Sequence, residues 1–107
     1  MSESLIFITI LYQNKMATNL FKIYNFLKKQ KDINYMSPTE IKEMRLSRYH
    51  MTQVVFAQLI EVPAKTYMQW EQGRHTPDSG SRKLLLIANQ YPDLFLKNKD
   101  EILKLFI

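Results

Sequence analysis

Paired carboxylates are the first groups to test for chemistry: Glu40 and Glu43 lie one helical turn apart, and Asp100 and Glu101 are neighbours. Both pairs fall at the start of an amphipathic segment, where acidic side chains normally cap a helix, meet its dipole or lie solvated on its face. General acid and base work needs more than a pair of acids. It needs a nucleophile, a metal or an oxyanion site beside them. Two isolated histidines, His50 and His75, with no cysteine and no glycine-rich loop, supply no thiolate, metal cluster or phosphate cradle. The sequence therefore predicts no enzyme, no cofactor and no metal.

Hydrogen-bond donors on one helical face are the other chemistry on offer. Tyr67 and Trp70, three apart, turn the same way, so the opposite side of their segment carries Ala64, Lys65, Met68 and Gln69, with Thr66 at its edge. Trp70 is an aromatic at helical spacing behind apolar neighbours and is assigned to the core. Glu71 is read as a structural hydrogen-bond or salt-bridge partner, and His50 as a loop residue.

The elements that must position this face follow from periodicity and from helix start and stop signals. Leu5 to Tyr12 is apolar and rich in Ile, Phe and Thr, which predicts a short strand or an extended arm. A second reading starts translation at Met16 and leaves the first fifteen residues without a role. From Thr18, taken as an N-cap, Leu20, Phe21, Ile23, Tyr24 and Leu27 recur at helical spacing. Lys31 to Met36 reads as a linker. Ser37-Pro38-Thr39-Glu40 then supplies an N-cap serine, a proline for the first turn and a capping-box glutamate, opening a helix to about Ser47 with Ile41 and Met44 inward. Thr52 caps a helix with Phe56, Leu59 and Ile60 inward, and Pro63 opens the next, which ends at Gly73. Asp78 or Ser79 starts a helix carrying Leu84, Leu85, Ile87 and Ala88, interrupted by Pro92. Asn98 with Glu101 caps a last helix containing Ile102, Leu103 and Phe106.

At 107 residues the chain has room for one modest core and an arm. With 46% apolar and 23% charged residues it folds rather than staying disordered, and only two glycines argue for helices over a turn-rich sandwich. No apolar run approaches the roughly twenty residues of a membrane span, and Leu5–Tyr12 lacks a signal peptide's flanks. Absence of cysteine suits a reducing cytoplasm. Net charge is +5. Residues 1–36 carry five Lys against Glu3 and Asp32, a surplus of +3, and residues 37–107 carry the remaining +2. A basic balance fits a polyanion partner.

Thr52-Gln53, Phe56-Ala57, Thr66, Trp70-Glu71-Gln72-Gly73-Arg74 and Pro77, in this spacing, resemble the helix-turn-helix of lambda-type repressors. With Tyr91-Pro92-Asp93-Leu94, the stretch Thr39 to Phe95 is more closely similar to the HigA-like antitoxins of toxin-antitoxin pairs. The resemblance implies an all-α, lambda-repressor-like (Xre-type) DNA-binding domain of about five helices over residues 37–107, with an N-terminal arm and helix over residues 1–36. It implies a repressor that binds a double-stranded operator as a homodimer, autoregulates a HigBA-type operon and neutralises a RelE-like mRNA-cleaving toxin. Alternatives are a stand-alone Xre-type regulator without a toxin and a helical interaction module that has lost DNA binding. Base reading is carried over to Ala64, Lys65, Thr66 and Gln69: Lys65 toward guanine, Gln69 toward adenine, Ala64 or the Thr66 methyl toward a thymine methyl. Backbone phosphate goes to Thr52, Gln53 and Arg74. Toxin contact is placed on Leu20, Phe21, Tyr24 and Leu27, and the dimer surface within Leu84 to Ile107. The family has Gly at the position of Glu61 and a capping Ser or Thr at the position of Pro63. Either Glu61 adopts a positive φ, or the turn differs.

Overall fold

The computed structural model of the chain describes residues 15–29 and 36–104, and every described element is a helix. The strand or arm expected over Leu5–Tyr12, the linker before Met36, and Phe106 lie outside the described residues. The chain divides into two compact units, Met1–Asp32 and Ile33–Ile107. The first unit contributes α1, Lys15–Lys29. Thr18 was expected as its N-cap but lies inside it, because the helical run already begins at Lys15. Ile23 is buried, whereas Phe21 and Tyr24 are exposed.

In the second unit, α2 spans Pro38–Met44. Its start is the expected capping box: the Ser37 hydroxyl accepts from Glu40 N at 3.1 Å, and Ser37 N donates to the Glu40 carboxylate at 3.0 Å. Two otherwise unpaired donors are satisfied reciprocally, a device contributing about 1 kcal/mol. The helix does not end near Ser47. It widens into a π-helical segment, Arg45–Tyr49, closed by His50 in the left-handed region at φ 54°. The extension has a reason in packing. Tyr49 must enter the core, where its ring meets Phe56 at 5.0 Å and Phe95 at 6.2 Å and its hydroxyl donates to Ala88 O at 2.6 Å.

Two short helices follow, α3 (Gln53–Leu59) and α4 (Ala64–Glu71). Thr52 caps α3 as expected, its hydroxyl accepting from Val55 N at 3.2 Å. Both helices end in the same hydrogen-bonded closure. After α3, Val62 N donates to Ala57 O at 2.9 Å and Glu61 N to Gln58 O at 3.1 Å. After α4, Arg74 N donates to Gln69 O at 2.9 Å and Gly73 N to Trp70 O at 3.2 Å. This double bond pattern, the Schellman motif, requires a left-handed residue at its centre. Gly73 takes φ 73° freely, and Glu61 takes φ 57° at a steric cost. Of the two possibilities for the turn, the positive φ is realised. Pro63 sits one residue before α4, with φ −55° and ψ 136°, and makes no side-chain cap. It fixes the turn rather than the first helical residue.

Asp78 caps α5, Ser79–Gln90, by accepting from Ser81 N at 2.8 Å. Pro92 opens α6, Pro92–Lys97, and α7 spans Lys99–Leu103. Asn98 precedes α7 without capping it through its side chain. Its amide donates backwards to Leu94 O at 3.2 Å, closing α6 instead. The core gathers Ile41, Met44, Phe56, Ile60, Tyr67, Leu85, Ile87, Phe95 and Ile102. Aromatic contacts run through it without a break: Phe95 to Tyr49, Tyr49 to Phe56, Phe56 to Tyr67 at 5.3 Å, and Tyr67 to Trp70 at 6.0 Å edge-on. Helix α4 is thereby keyed to the rest of its unit by one side.

Candidate functional site

Burial of Tyr67 and Trp70 decides which side of α4 faces outward. With those two side chains 0% and 5% exposed, Lys65 is exposed, Ala64, Thr66, Met68 and Gln69 are half-buried, and Gln72 is exposed one turn beyond. Lys65, Gln69 and Gln72 follow at spacings of four and three, which puts them in one row on a helix. This row offers an ammonium and two amides to solvent. Gln72 was not singled out in the sequence, although its place in the row was available there.

The other expected contact residues flank the helix pair. Thr52 and Arg74 are exposed, one before α3 and the other just past α4. The Thr52 hydroxyl is already engaged in its cap. Gln53, the first residue of α3, is half-buried, and its side-chain amide donates to Glu71 Oε1 at 3.1 Å.

Glu71 is the hub of the buried polar chemistry. Its carboxylate pairs with Arg45 through Nε at 2.7 Å and Nη2 at 3.1 Å, with the side chains only 7% and 3% exposed. The third Arg45 nitrogen, Nη1, donates to Met51 O at 2.8 Å. One guanidinium thus ties the end of α2, the loop before α3 and the end of α4. Burial pushes the Glu71 carboxyl up, but the Arg45 guanidinium, with the Tyr67 hydroxyl and the Gln53 amide behind it, outweighs burial and holds its pKa below the ordinary carboxylate range. The hydrogen bond to Glu71 in turn raises Arg45. Tyr67's hydroxyl is buried beside the pair without a hydrogen bond of good geometry, and burial first, then the neighbouring carboxylate, raises its pKa.

Sequence reading placed Glu71 correctly as a structural partner and missed Arg45. The signal was present: Arg45 falls four residues after Ile41 and next to Met44, on the inward side of α2. A cation there needs a buried anion. Among the described residues no group of His, Asp or Glu is arranged to hold a metal, and no helix is long and apolar enough to cross a membrane.

A helical unit keyed by aromatic side chains, with a closely joined helix pair exposing one polar row, is the class these features define. No family model matches the chain. Over 58 residues, 54% of its length, it is 34% identical to the Antitoxin HigA-2 of Vibrio cholerae serotype O1. The matched stretch covers 55% of that relative, so the chain spans about half the length of the curated relative it matches.

Proposed function

We propose that the chain is a sequence-specific DNA-binding repressor with a lambda-repressor-like, Xre-type helix-turn-helix over residues 37–107. We further propose that it is the antitoxin that autoregulates a HigBA-type operon and neutralises a RelE-like mRNA-cleaving toxin. The observation that carries the first half is the pair α3 and α4, where Tyr67 and Trp70 are buried and Lys65, Thr66 and Gln69 are left on the outer side. A helix presenting such groups fits the major groove, with Lys65 and Gln69 on base edges, Ala64 and Thr66 beside them, and Thr52, the Gln53 backbone and Arg74 at phosphates. Two copies binding as a homodimer supply the affinity that one short module lacks. Likeness to Antitoxin HigA-2 supports the second half. Toxin contact falls to residues 1–36 through Leu20, Phe21, Tyr24 and Leu27, and both proteins act in the cytoplasm.

A stand-alone Xre-type regulator is the second reading. It draws on the +3 surplus of residues 1–36, which a basic toxin would repel.

Binding to a duplex from upstream of the chain's own gene, followed by fluorescence anisotropy across a salt series, tests the DNA reading. Affinity should fall steeply with salt, and Arg74→Ala should reduce the slope of log K against log salt by about 0.9. Lys65→Ala or Gln69→Ala should cost about 1–3 kcal/mol on the preferred sequence and relax preference at one base pair. A flat salt response without sequence preference sinks the proposal.

A further inference from the structure

We infer that the partner surface docking on α1 is an apolar groove rimmed by carboxylates, which α1 enters with two aromatic rings and meets with three lysines. The inference rests on the toxin reading above and names the chemistry of the toxin's side of that contact.

Ile23, 1% exposed, marks the side of α1 turned away from solvent. Successive residues turn by about 100° round a helix, so Leu27 and Leu20 lie beside Ile23, Tyr24 comes next, and Phe21 lies almost opposite. The two leucines are half-buried and the two rings exposed. One apolar stripe therefore runs from the buried side out onto the solvent side. Leu20, Tyr24 and Leu27 stand at i, i+4 and i+7, the anchor spacing with which a helix lies in a groove of a folded protein. A nucleic-acid strand would stack on the rings and leave the leucines unused, and a lipid surface would need the leucines as exposed as the rings. Charge gives the groove its rim. Helix α1 holds Lys15, Lys22, Lys28 and Lys29 and no acid. Lys28 lies between the two rings, and Lys22 with Lys29 forms the far edge of the solvent face, all three exposed. Among the described residues the ion pair is Arg45 with Glu71, so none of these ammonium groups is neutralised there. Cations around an apolar stripe are complementary to carboxylates around an apolar groove, and like charge opposite them would cost affinity. The surplus on residues 1–36 thus restricts one patch of the toxin, not its net charge.

The test uses the full chain and, as probe, the purified product of the adjacent reading frame, with association and dissociation followed by surface plasmon resonance across a salt series. The triple variant Lys22→Gln, Lys28→Gln, Lys29→Gln, with unchanged circular dichroism, should associate about tenfold more slowly at low salt and lose most of the salt dependence. Its dissociation rate should stay close to wild type, the behaviour of rim charges. Arg at the same three positions should keep the wild-type rates. Phe21→Ser with Tyr24→Ser should instead speed dissociation about a hundredfold, the scale of two aromatic anchors. A Gln variant that associates at the wild-type rate or faster means a neutral or basic groove and overturns the inference, while the toxin reading stands on the wild-type binding. A wild-type chain that does not bind the product ends the toxin reading and the inference with it. Fluorescein-labelled oligouridine and phosphatidylglycerol vesicles complete the test. Binding to either that is tighter than to the product and lost in the Gln variant gives α1 to a single strand or a membrane, and overturns the inference as well.

Discussion

A buried arginine and glutamate stabilise a fold only as long as both are present. Removing one charge leaves the other desolvated without a partner, which costs about 3–5 kcal/mol. Arg45→Leu should therefore lower the unfolding free energy by about that much at neutral pH. The effect carries its own pH signature. In the wild-type chain Glu71 titrates below its ordinary 4.5, so its contribution is complete above 4.5 and is lost as pH falls through the lower native value. Glu40 and Asp78, lowered by their hydrogen bonds to Ser37 and Ser81, lose their caps in the same direction. Without Arg45, burial dominates at Glu71 and raises its native pKa above the unfolded one, so acid relieves the variant while it weakens the wild type. Urea unfolding from neutral to acid pH should show the gap between the two proteins narrowing in two stages, above pH 4.5 as Glu71 of the variant takes up its proton and below pH 4.5 as Glu71 of the wild type does. A gap independent of pH would mean that Glu71 is not the ionised partner.

Local chemistry made some elements plain in the sequence and long-range packing hid others. The Ser37–Glu40 box and the Thr52 and Asp78 caps were legible because each is settled within one helical turn. The end of α2 was not, since the widening over Arg45–Tyr49 answers to Phe56, Phe95 and Ala88, all distant in sequence. Asn98 had the right type for a cap, but the Leu94 carbonyl behind it was the available partner. Of the candidate site, the outward row on α4 was readable from Tyr67 and Trp70 alone. The side-chain bond of Gln53 depends on Glu71 in another helix and was not. The two helix closures make a paired test of the same physics. Gly73 and Glu61 hold the same left-handed place, and a Cβ on Gly73 would meet only Pro38 Cγ at 3.4 Å, so backbone strain decides both outcomes. Gly73→Ala should destabilise by about 1–2 kcal/mol. Glu61→Gly should stabilise by up to about 1 kcal/mol, the relieved strain less the entropy glycine adds to the unfolded chain. Thermal unfolding of both variants reads the signs, and a stabilised Gly73→Ala would contradict the account.

Charge and apolar surface divide along the chain in a way that separates the two proposed activities. The outward row of α4 and Arg74 belong to the second unit, whereas Phe21 and Tyr24, 47% and 59% exposed on α1, belong to the first. Exposed aromatic rings are what an apolar contact uses, and the surplus of lysine in residues 1–36 leaves little attraction for a basic partner. Neutralisation of a toxin would then depend on the rings, and DNA binding would not. Phe21→Ser with Tyr24→Ser should leave the salt slope and sequence preference on DNA unchanged while abolishing rescue of cell growth when the product of the adjacent reading frame is co-expressed. Each half of the outcome bears on a different proposal. Loss of DNA binding in this variant would join the activities through α1 and end the division by unit. Unimpaired rescue would remove the toxin contact from Phe21 and Tyr24. An adjacent reading frame whose product is harmless to the cell would leave the operator as the chain's sole target and favour the stand-alone regulator, with the aromatic side of α1 then serving the repressor itself.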